Sequence, residues 1–192
     1  MIVEQAARDY AGQLEVASIR CGQMTGARLS GAWNEKEQIP MLLKTGQSMG
    51  SLPMLPGTLS WIPVDDAAAV IADFALFPRE IPVVLHLENP TRQPWSDMMG
   101  SLSKALGLPE PATPFDEWLE DVSRRDSNDE EYPVQQLSLF FKKYFQTAAC
   151  GQVVLDTQVA ARLSSQLRNL GPLDESVACR YVDHWKKTGL LK

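Results

Sequence analysis

The sequence predicts an α/β fold with few parallel strands and a helix-rich C-terminal half. Segments with strand character alternate with segments of helical periodicity over the first hundred residues. Residues 82–87 hold a continuous apolar run, Val83-Val84-Leu85, beside His86, which is typical of a strand buried on both faces of a parallel sheet. From residue 134 onward most segments have helical periodicity.

The first half alternates helices, strands and loops. The predicted elements are a helix at 2–12 with Ile2, Val3, Ala6, Ala7 and Tyr10 on one face, a strand at 14–21 ending in Gly22, a loop at 22–31, a short helix at 35–45 interrupted by Pro40, a loop at 46–57, an extended piece at 61–64, a helix at 67–76 and a strand at 82–87. Asp65 and Asp66 precede the helix at 67–76 and are predicted to cap it. Its inward positions are predicted to be Ala68, Ile71, Ala72 and Ala75.

The second half is mainly helical. The predicted elements are a helix at 95–106 stopped by Gly107, a helix opening at Pro114, a charged surface loop at 124–131, helices at 134–148, 156–168 and 174–187, and an extended piece at 152–155. The sequence has no repeat and no low-complexity tract, and a single domain over residues 1–192 is expected.

Composition excludes several classes of protein. The net charge is −6 and the isoelectric point is near 5.0, whereas nucleic acids and anionic membranes require a basic face. Cys21, Cys150 and Cys179 are too far apart in sequence for a metal-type pair and suggest no disulfide framework. Because the sequence also shows neither a signal peptide nor a bilayer-spanning run, a cytoplasmic location is expected.

Individual residues allow a functional and a structural interpretation. Gly22 and Gln23 follow a predicted strand at its carboxyl end, which faces the ligand in open α/β sheets, but they could equally form a plain turn. Tryptophans beside predicted loops could line a ligand pocket or close the core over it; these are Trp33, Trp61, Trp95 and Trp118. Cys21 is predicted to be a buried thiol, and His86 a hydrogen-bonded structural histidine.

Seven short motifs occur in a fixed order along the chain. They are Arg20-Cys21-Gly22-Gln23, Gly31-Ala32-Trp33-Asn34, Gly50-Ser51-Leu52-Pro53, Trp61-Ile62-Pro63-Val64-Asp65, His86-Leu87-Glu88-Asn89-Pro90, Phe115-Asp116-Glu117-Trp118-Leu119 and Tyr181-Val182-Asp183-His184-Trp185. This series resembles the C-terminal part of the thioester reductase domains of fungal polyketide and nonribosomal peptide synthases and of carboxylic acid reductases. Those domains are extended short-chain dehydrogenase/reductase folds.

The resemblance implies reduction of a carrier-bound acyl thioester by NADPH. In the family, a Gly-rich loop in the N-terminal Rossmann half holds the cofactor, and a Tyr and a Lys transfer protons. Here no tyrosine is followed by lysine at its +4 position, and no Gly-x-Gly-x-x-Gly is present. We therefore expect the Rossmann half to be missing from this sequence, with Met1 about where the catalytic Lys has just been passed, and no cofactor site in this chain.

Three functions remain open. The first is the substrate- and carrier-binding portion of an NADPH-dependent thioester reductase-like protein, reducing thioesters only when completed by the missing half. The second is a stand-alone pocket that binds a polyketide or peptidyl product and guides a non-redox cyclisation or release. The candidate substrate-binding residues are Arg20, Gly22, Gln23, Trp33, Asn34, Gln47 and Trp61; catalytic residues stay unassigned, and no metal site is expected.

The third function is a non-catalytic interaction module. The strands at 14–21 and 83–87 are predicted to border strands that this sequence does not supply. Because an unpaired apolar strand edge needs a partner, we expect a homodimer or pairing with another polypeptide through that edge.

Overall fold

The computed structural model describes residues 2–10, 13, 16–126 and 129–192. Its elements in chain order are α1 (Ile2–Asp9), β1 (Ser18–Cys21), β2 (Met24–Thr25), α2 (Gln38–Met49), β3 (Pro53–Met54), β4 (Thr58–Leu59), β5 (Ile62–Pro63), α3 (Val64–Ala75), β6 (Val84–Leu87), β7 (Gln93–Pro94), α4 (Trp95–Leu106), β8 (Thr113–Pro114), α5 (Phe115–Ser123), a 3-10 turn (Pro133–Leu137), α6 (Ser138–Phe140), a π-helical turn (Phe141–Phe145), α7 (Gln146–Ala149), α8 (Gln158–Leu163), α9 (Ser165–Arg168) and α10 (Glu175–Thr188).

The predicted α/β class with few parallel strands is confirmed. The described strands pair two by two: β1 with β6, β2 with β5 and β3 with β8 run parallel, and β4 with β7 runs antiparallel. Helices occupy most of the chain after residue 94. The chain divides into two compact units, and the single domain over residues 1–192 stays a prediction.

Unit 1 comprises Met1–Thr25, Ser60–Thr91 and Val154–Gly171. Ser18 pairs with Val84 and Cys21 with Leu87, so β1 and β6 end together. The helices α3 and α9 pack on each other, and α8 packs on β6. The core holds Ile62, Ala67, Val70, Phe74, Leu85, Leu87, Ala160 and Leu167.

Unit 2 comprises Gly26–Leu59, Arg92–Val153 and Pro172–Lys192. α4 packs on α10. Its core is rich in buried rings, namely Trp33, Trp95, Phe115, Trp118, Phe141, Phe145, Tyr181 and Trp185.

The helix boundaries of α4 and α10 follow the predictions closely. Gly107 ends α4 with a φ of 70°, which a residue without Cβ adopts most easily. Asp174 caps α10 by accepting a hydrogen bond from the Val177 N–H at 3.1 Å.

The predicted apolar face of the first helix is only partly the buried one. Ala7 is buried as expected, but Ile2, Ala6 and Tyr10 are exposed and Glu4 is buried. An ion pair between Glu4 and Arg20 on β1 explains the difference, because a paired carboxylate can be buried where an unpaired one cannot. The predicted strand at 14–21 begins at Ser18; Leu14 and Glu15 lie outside the described residues.

Two other helices also differ from the predictions. The buried residues of α3 are Ala67, Val70 and Phe74, whereas the predicted inward residues Ala68, Ile71, Ala72 and Ala75 are exposed. Asp65 lies inside the first turn because Pro63 occupies the capping position. α2 is not interrupted by Pro40, which lies in the first turn, where backbone N–H groups have no partner within the helix.

Several predicted segments are revised in extent. α2 continues to Met49 through part of the predicted loop at 46–57. β6 buries Leu85 and Leu87 but leaves Val84 and His86 half-buried, so it is not buried on both faces. The helix predicted at 156–168 breaks at Ser164, which caps α9, and the piece at 152–155 forms no strand. In the predicted loop at 124–131, residues 127 and 128 lie outside the described part.

Candidate functional site

The carboxyl ends of β1 and β6 bring three segments of unit 1 together. The Gly22 N–H donates to the Leu87 carbonyl at 2.8 Å, and the Ile62 N–H donates to the Gln23 carbonyl at 3.2 Å. The Asn89 N–H donates to the Ser60 carbonyl at 3.2 Å. Residues 22–23, 60–62 and 88–89 therefore form one connected edge, here called the carboxyl edge, where parallel α/β sheets place their ligands.

Asn89 holds this edge from inside the unit. Its side chain is buried, and Nδ2 donates to the carbonyls of Trp61 at 3.2 Å and Gly171 at 2.9 Å. Its Oδ1 accepts the Thr91 N–H at 2.9 Å. A buried amide must find partners for its polar atoms, and these three bonds tie Asn89 to the backbone of Trp61, Gly171 and Thr91.

Glu88 is a buried carboxylate at the same edge. Its Oε1 accepts the backbone N–H of Leu155 at 3.1 Å. A Cβ placed on Gly22 would lie 2.7 Å from the Glu88 Cβ and 2.9 Å from Oε2. Gly22 is therefore required because Glu88 approaches its backbone too closely for any side chain.

His86 is a hydrogen-bonded structural histidine, as predicted. Its Nδ1 lies 3.0 Å from the Asp156 carbonyl oxygen. A carbonyl oxygen only accepts, so Nδ1 carries the proton. His86 and Glu88 together hold residues 155–156 against β6.

Three of the predicted site residues meet at the carboxyl edge: Gly22, Gln23 and Trp61. Gln23 is half-buried, and its Nε2 donates to the Met24 carbonyl at 2.6 Å. Trp61 is buried, with its carbonyl held by Asn89.

Arg20 lies on β1, two residues before Gly22, and its side chain has another partner. Its Nε and Nη2 donate to Glu4 Oε1 at 3.1 and 2.6 Å. This hydrogen bond lowers the pKa of Glu4. Cys21 is exposed rather than buried, although Ile19 two residues earlier packs on the core. Partial desolvation raises the pKa of its thiol.

The other predicted site residues lie in unit 2. Trp33 is buried, with its ring 5.0 Å from that of Tyr181 and 5.4 Å from that of Trp185. Asn34 is exposed, and its Oδ1 accepts the Lys36 N–H at 3.1 Å. Gln47 bonds the backbone of Lys192 twice, at 3.1 Å through Nε2 and 2.9 Å through Oε1.

Of the two roles left open for the tryptophans, the structure supports core closure at Trp95 and Trp118. Both rings are buried. Trp95 Nε1 donates to the Ala149 carbonyl at 2.9 Å, and Trp118 Nε1 donates to the Ser51 carbonyl at 3.1 Å. Their indole N–H groups are thus used within unit 2.

Sequence reasoning missed Glu88 and Asn89 as residues that build the site. The signal was available, because they follow the strand at 82–87 as Gly22 and Gln23 follow the strand before them. Parallel pairing of these strands brings both pairs of residues to one edge.

The described residues contain neither a metal-binding cluster nor a membrane-spanning helix. No group of three or more His, Cys, Asp or Glu side chains there could hold a metal ion. No helix in this part of the chain is both long enough and apolar enough to cross a bilayer.

Comparison with known proteins identifies several similar proteins. A non-ribosomal peptide synthetase of Acremonium egyptiacum, ascB, is 52% identical over 190 residues, covering 99% of this chain and 17% of the relative. The adenylate-forming reductase stbB of Stachybotrys bisbyi is 48% identical over 191 residues, covering 99% of this chain and 18% of the relative. The solved terminal R domain of the myxalamid polyketide–nonribosomal peptide pathway superposes on the whole chain with a TM-score of 0.82 at 27% identity.

The chain is similar to the thioester reductase-like domains of polyketide and nonribosomal peptide synthases. The predicted resemblance to fungal synthase reductases is thereby confirmed. No family model matches the sequence. The thioester reductase-like chain spans less than a fifth of the curated relatives and 48% of the solved R domain.

Proposed function

We propose that this chain is the substrate- and carrier-binding portion of an NADPH-dependent thioester reductase-like protein in polyketide or nonribosomal peptide biosynthesis. The observation that carries the proposal is the carboxyl edge, where Gly22, Gln23 and Trp61 meet on a rigid support. Its relatives, a peptide synthetase and an adenylate-forming reductase, agree with that class of reaction.

The edge is built to stay in one shape. Asn89 fixes Trp61, and Glu88 packs against Gly22. A binding site that holds its shape before the ligand arrives avoids the entropic cost of ordering the site on binding. Gln23 is the side chain of the edge that we assign to the acyl thioester, because it lies directly after β1 and is half-buried rather than buried.

The same edge does not fit the phosphates of NADPH. Dinucleotide phosphates are held by backbone N–H groups of a Gly-rich turn at a helix N-terminus. Here the N–H groups of Gly22, Ile62 and Asn89 each donate to a backbone carbonyl of unit 1, namely those of Leu87, Gln23 and Ser60. We therefore assign hydride transfer to residues outside this chain.

A carrier-bound acyl thioester is the substrate class that follows from the family. The proposal gives this chain two contacts with it: the acyl group at the carboxyl edge, and the protein carrier at a separate surface.

Fluorescence titration tests the assignment of Gln23. The intrinsic tryptophan emission of the chain is followed while an acyl N-acetylcysteamine thioester, such as the hexanoyl compound, is added. We expect Gln23→Ala to weaken binding about fivefold, in the range for one lost hydrogen bond. Gln158→Ala, at an exposed position on α8, is the matched control and should bind as the unmodified chain does. If the Gln23→Ala variant binds the thioester as tightly as the unmodified chain does, Gln23 does not contact the acyl thioester.

A further inference from the structure

The helical stretch from Pro133 to Ala149 in unit 2 exposes a mixed apolar and basic surface. Leu139 is 61% exposed and Tyr144 is 57% exposed, with Lys142 and Lys143 exposed between them. Residues three to five apart share one side of a helix that passes from an α-helical to a π-helical turn. Leu139, Lys142, Lys143 and Tyr144 therefore share the solvent side, and we call these four residues the docking face.

The charge of this segment differs from that of the rest of the chain. No aspartate or glutamate occurs between Tyr132 and Leu155, although the whole chain has a net charge of −6. Within the part of the chain that the structure describes, neither Lys142 nor Lys143 forms an ion pair or a hydrogen bond. Two lysines thus stand in solvent without an acidic partner, beside two exposed apolar side chains.

The inner side of the same segment is firmly anchored. Phe141 and Phe145 are buried, with ring centroids 5.0 Å apart. Phe145 also contacts Phe115 of α5 at a centroid distance of 5.3 Å. The π-helical turn lies between these two anchors and leaves three consecutive residues, 142 to 144, exposed. Such turns are uncommon and are often found at functional sites.

We propose that the docking face binds an acidic surface of the carrier domain that delivers the acyl thioester, an inference that rests on the proposed function. The two lysines select an acidic partner, and Leu139 and Tyr144 supply the apolar contact that gives an interface its affinity. A two-fold dimer through this face would place the same lysine pair opposite itself, so like-charge repulsion opposes a second copy as the occupant. Nucleic acid is opposed by the net charge of the whole chain.

Charge reversal tests the docking face. The probe is the isolated carrier domain of the Acremonium egyptiacum synthetase, because another part of that synthetase is 52% identical to this chain over 190 residues. Isothermal titration calorimetry at two salt concentrations measures the dissociation constant between this carrier domain and the full chain. The variant is Lys142→Glu with Lys143→Glu. The matched control is Lys186→Glu with Lys187→Glu, an exposed lysine pair at the end of α10.

We expect the variant at 142 and 143 to bind at least about tenfold more weakly, and the control within about twofold of the unmodified chain. Higher salt should weaken binding by the unmodified chain more than binding by the variant. A second variant, Leu139→Ser with Tyr144→Ser, should also weaken binding without changing the net charge.

The outcomes separate this inference from the proposed function. If the unmodified chain binds the carrier and the variant at 142 and 143 binds equally well, the docking face is wrong and the carrier partner stands. If the unmodified chain does not bind the carrier at all, the carrier part of the proposed function fails, and the docking face fails with it. A change in the oligomeric state of the chain caused by the same variant would identify a second copy as the occupant and overturn the proposal.

Discussion

Gly22 and Glu88 face each other across the carboxyl ends of β1 and β6, so closely that a Cβ on Gly22 would lie 2.7 Å from the Cβ of Glu88. The contact joins the turn after one strand to the buried carboxylate after its neighbour. The carboxyl edge therefore depends on a residue without a side chain at position 22, and the first prediction follows from this contact.

Gly22→Ala should lower the free energy of unfolding by about 1–3 kcal/mol, because the added methyl group must displace Glu88 or the backbone. Chemical denaturation followed by tryptophan fluorescence measures the change. Gly171→Ala is the matched control within unit 1, since a Cβ there would meet nothing within 4 Å. A Gly22→Ala variant as stable as the Gly171→Ala variant would show that Glu88 moves aside at no cost.

Asn89→Asp should destabilise the chain by about 2–4 kcal/mol, because it replaces the donor to Trp61 and Gly171 with a buried carboxylate that faces both carbonyls. Asn34→Asp makes the same chemical change at an exposed site and keeps the acceptor for Lys36. Its effect should stay within about 0.5 kcal/mol. Similar losses of stability in both variants would contradict the account of Asn89.

The lowered pKa of Glu131 predicts how the stability of the fold depends on pH. Hydrogen bonds from Ser48 and Lys192, with Lys44 nearby, lower its pKa from 4.5 to about 2. A carboxyl whose folded-state pKa is lowered stabilises the fold above its unfolded pKa and loses that contribution as the pH falls through the folded pKa. The contribution is thus present at pH 7 and disappears between about pH 4.5 and 2.

Glu131→Gln should therefore be less stable than the unmodified chain at pH 7, by about 1 kcal/mol after allowance for the partial exposure of the carboxyl group. The difference should shrink below pH 4.5. Urea denaturation at pH 7 and pH 3 gives both values, with Glu130→Gln at the neighbouring exposed position as the control. A difference that grows on acidification would have the wrong sign.

The expected dimer through the strand edge stays a proposal with a direct test. In the described residues β1 and β6 pair only with each other. The N–H groups of Ser18 and Gly22 point toward β6, so the N–H of Cys21 points to the outer edge by the period-two alternation of a strand. Multi-angle light scattering should show a dimer for the unmodified chain and for Cys21→Ala, and a monomer for Cys21→Pro. A monomeric unmodified chain would contradict the proposed dimer.

The extent to which sequence predicted this structure depends on the kind of signal. α4 and α10 were predictable because their ends have local markers, Gly107 and Asp174. The buried faces of α1 and α3 were not, because burial there depends on distant partners: Arg20 keeps Glu4 inside, whereas apolar Ile2 stays exposed. Periodicity alone does not identify such pairs.

Some residues of the candidate site were also predictable from the sequence, and others were not. Gly22 and Gln23 were found because they follow a strand. Asn89 could be recognised as a residue that holds Trp61 only from the structure, because the two residues are 28 positions apart in sequence and meet only in the folded unit. Gln47 was chosen for its polarity, and its amide instead binds the backbone of Lys192 across 145 residues of sequence.

Parallel calorimetric titrations of the same chain with NADPH and with an acyl N-acetylcysteamine thioester test the central claim most directly. The account predicts saturable binding of the thioester and no binding heat with NADPH. Stoichiometric NADPH binding, or the absence of thioester binding, would contradict the assignment of this chain as the substrate-binding portion of a thioester reductase-like protein.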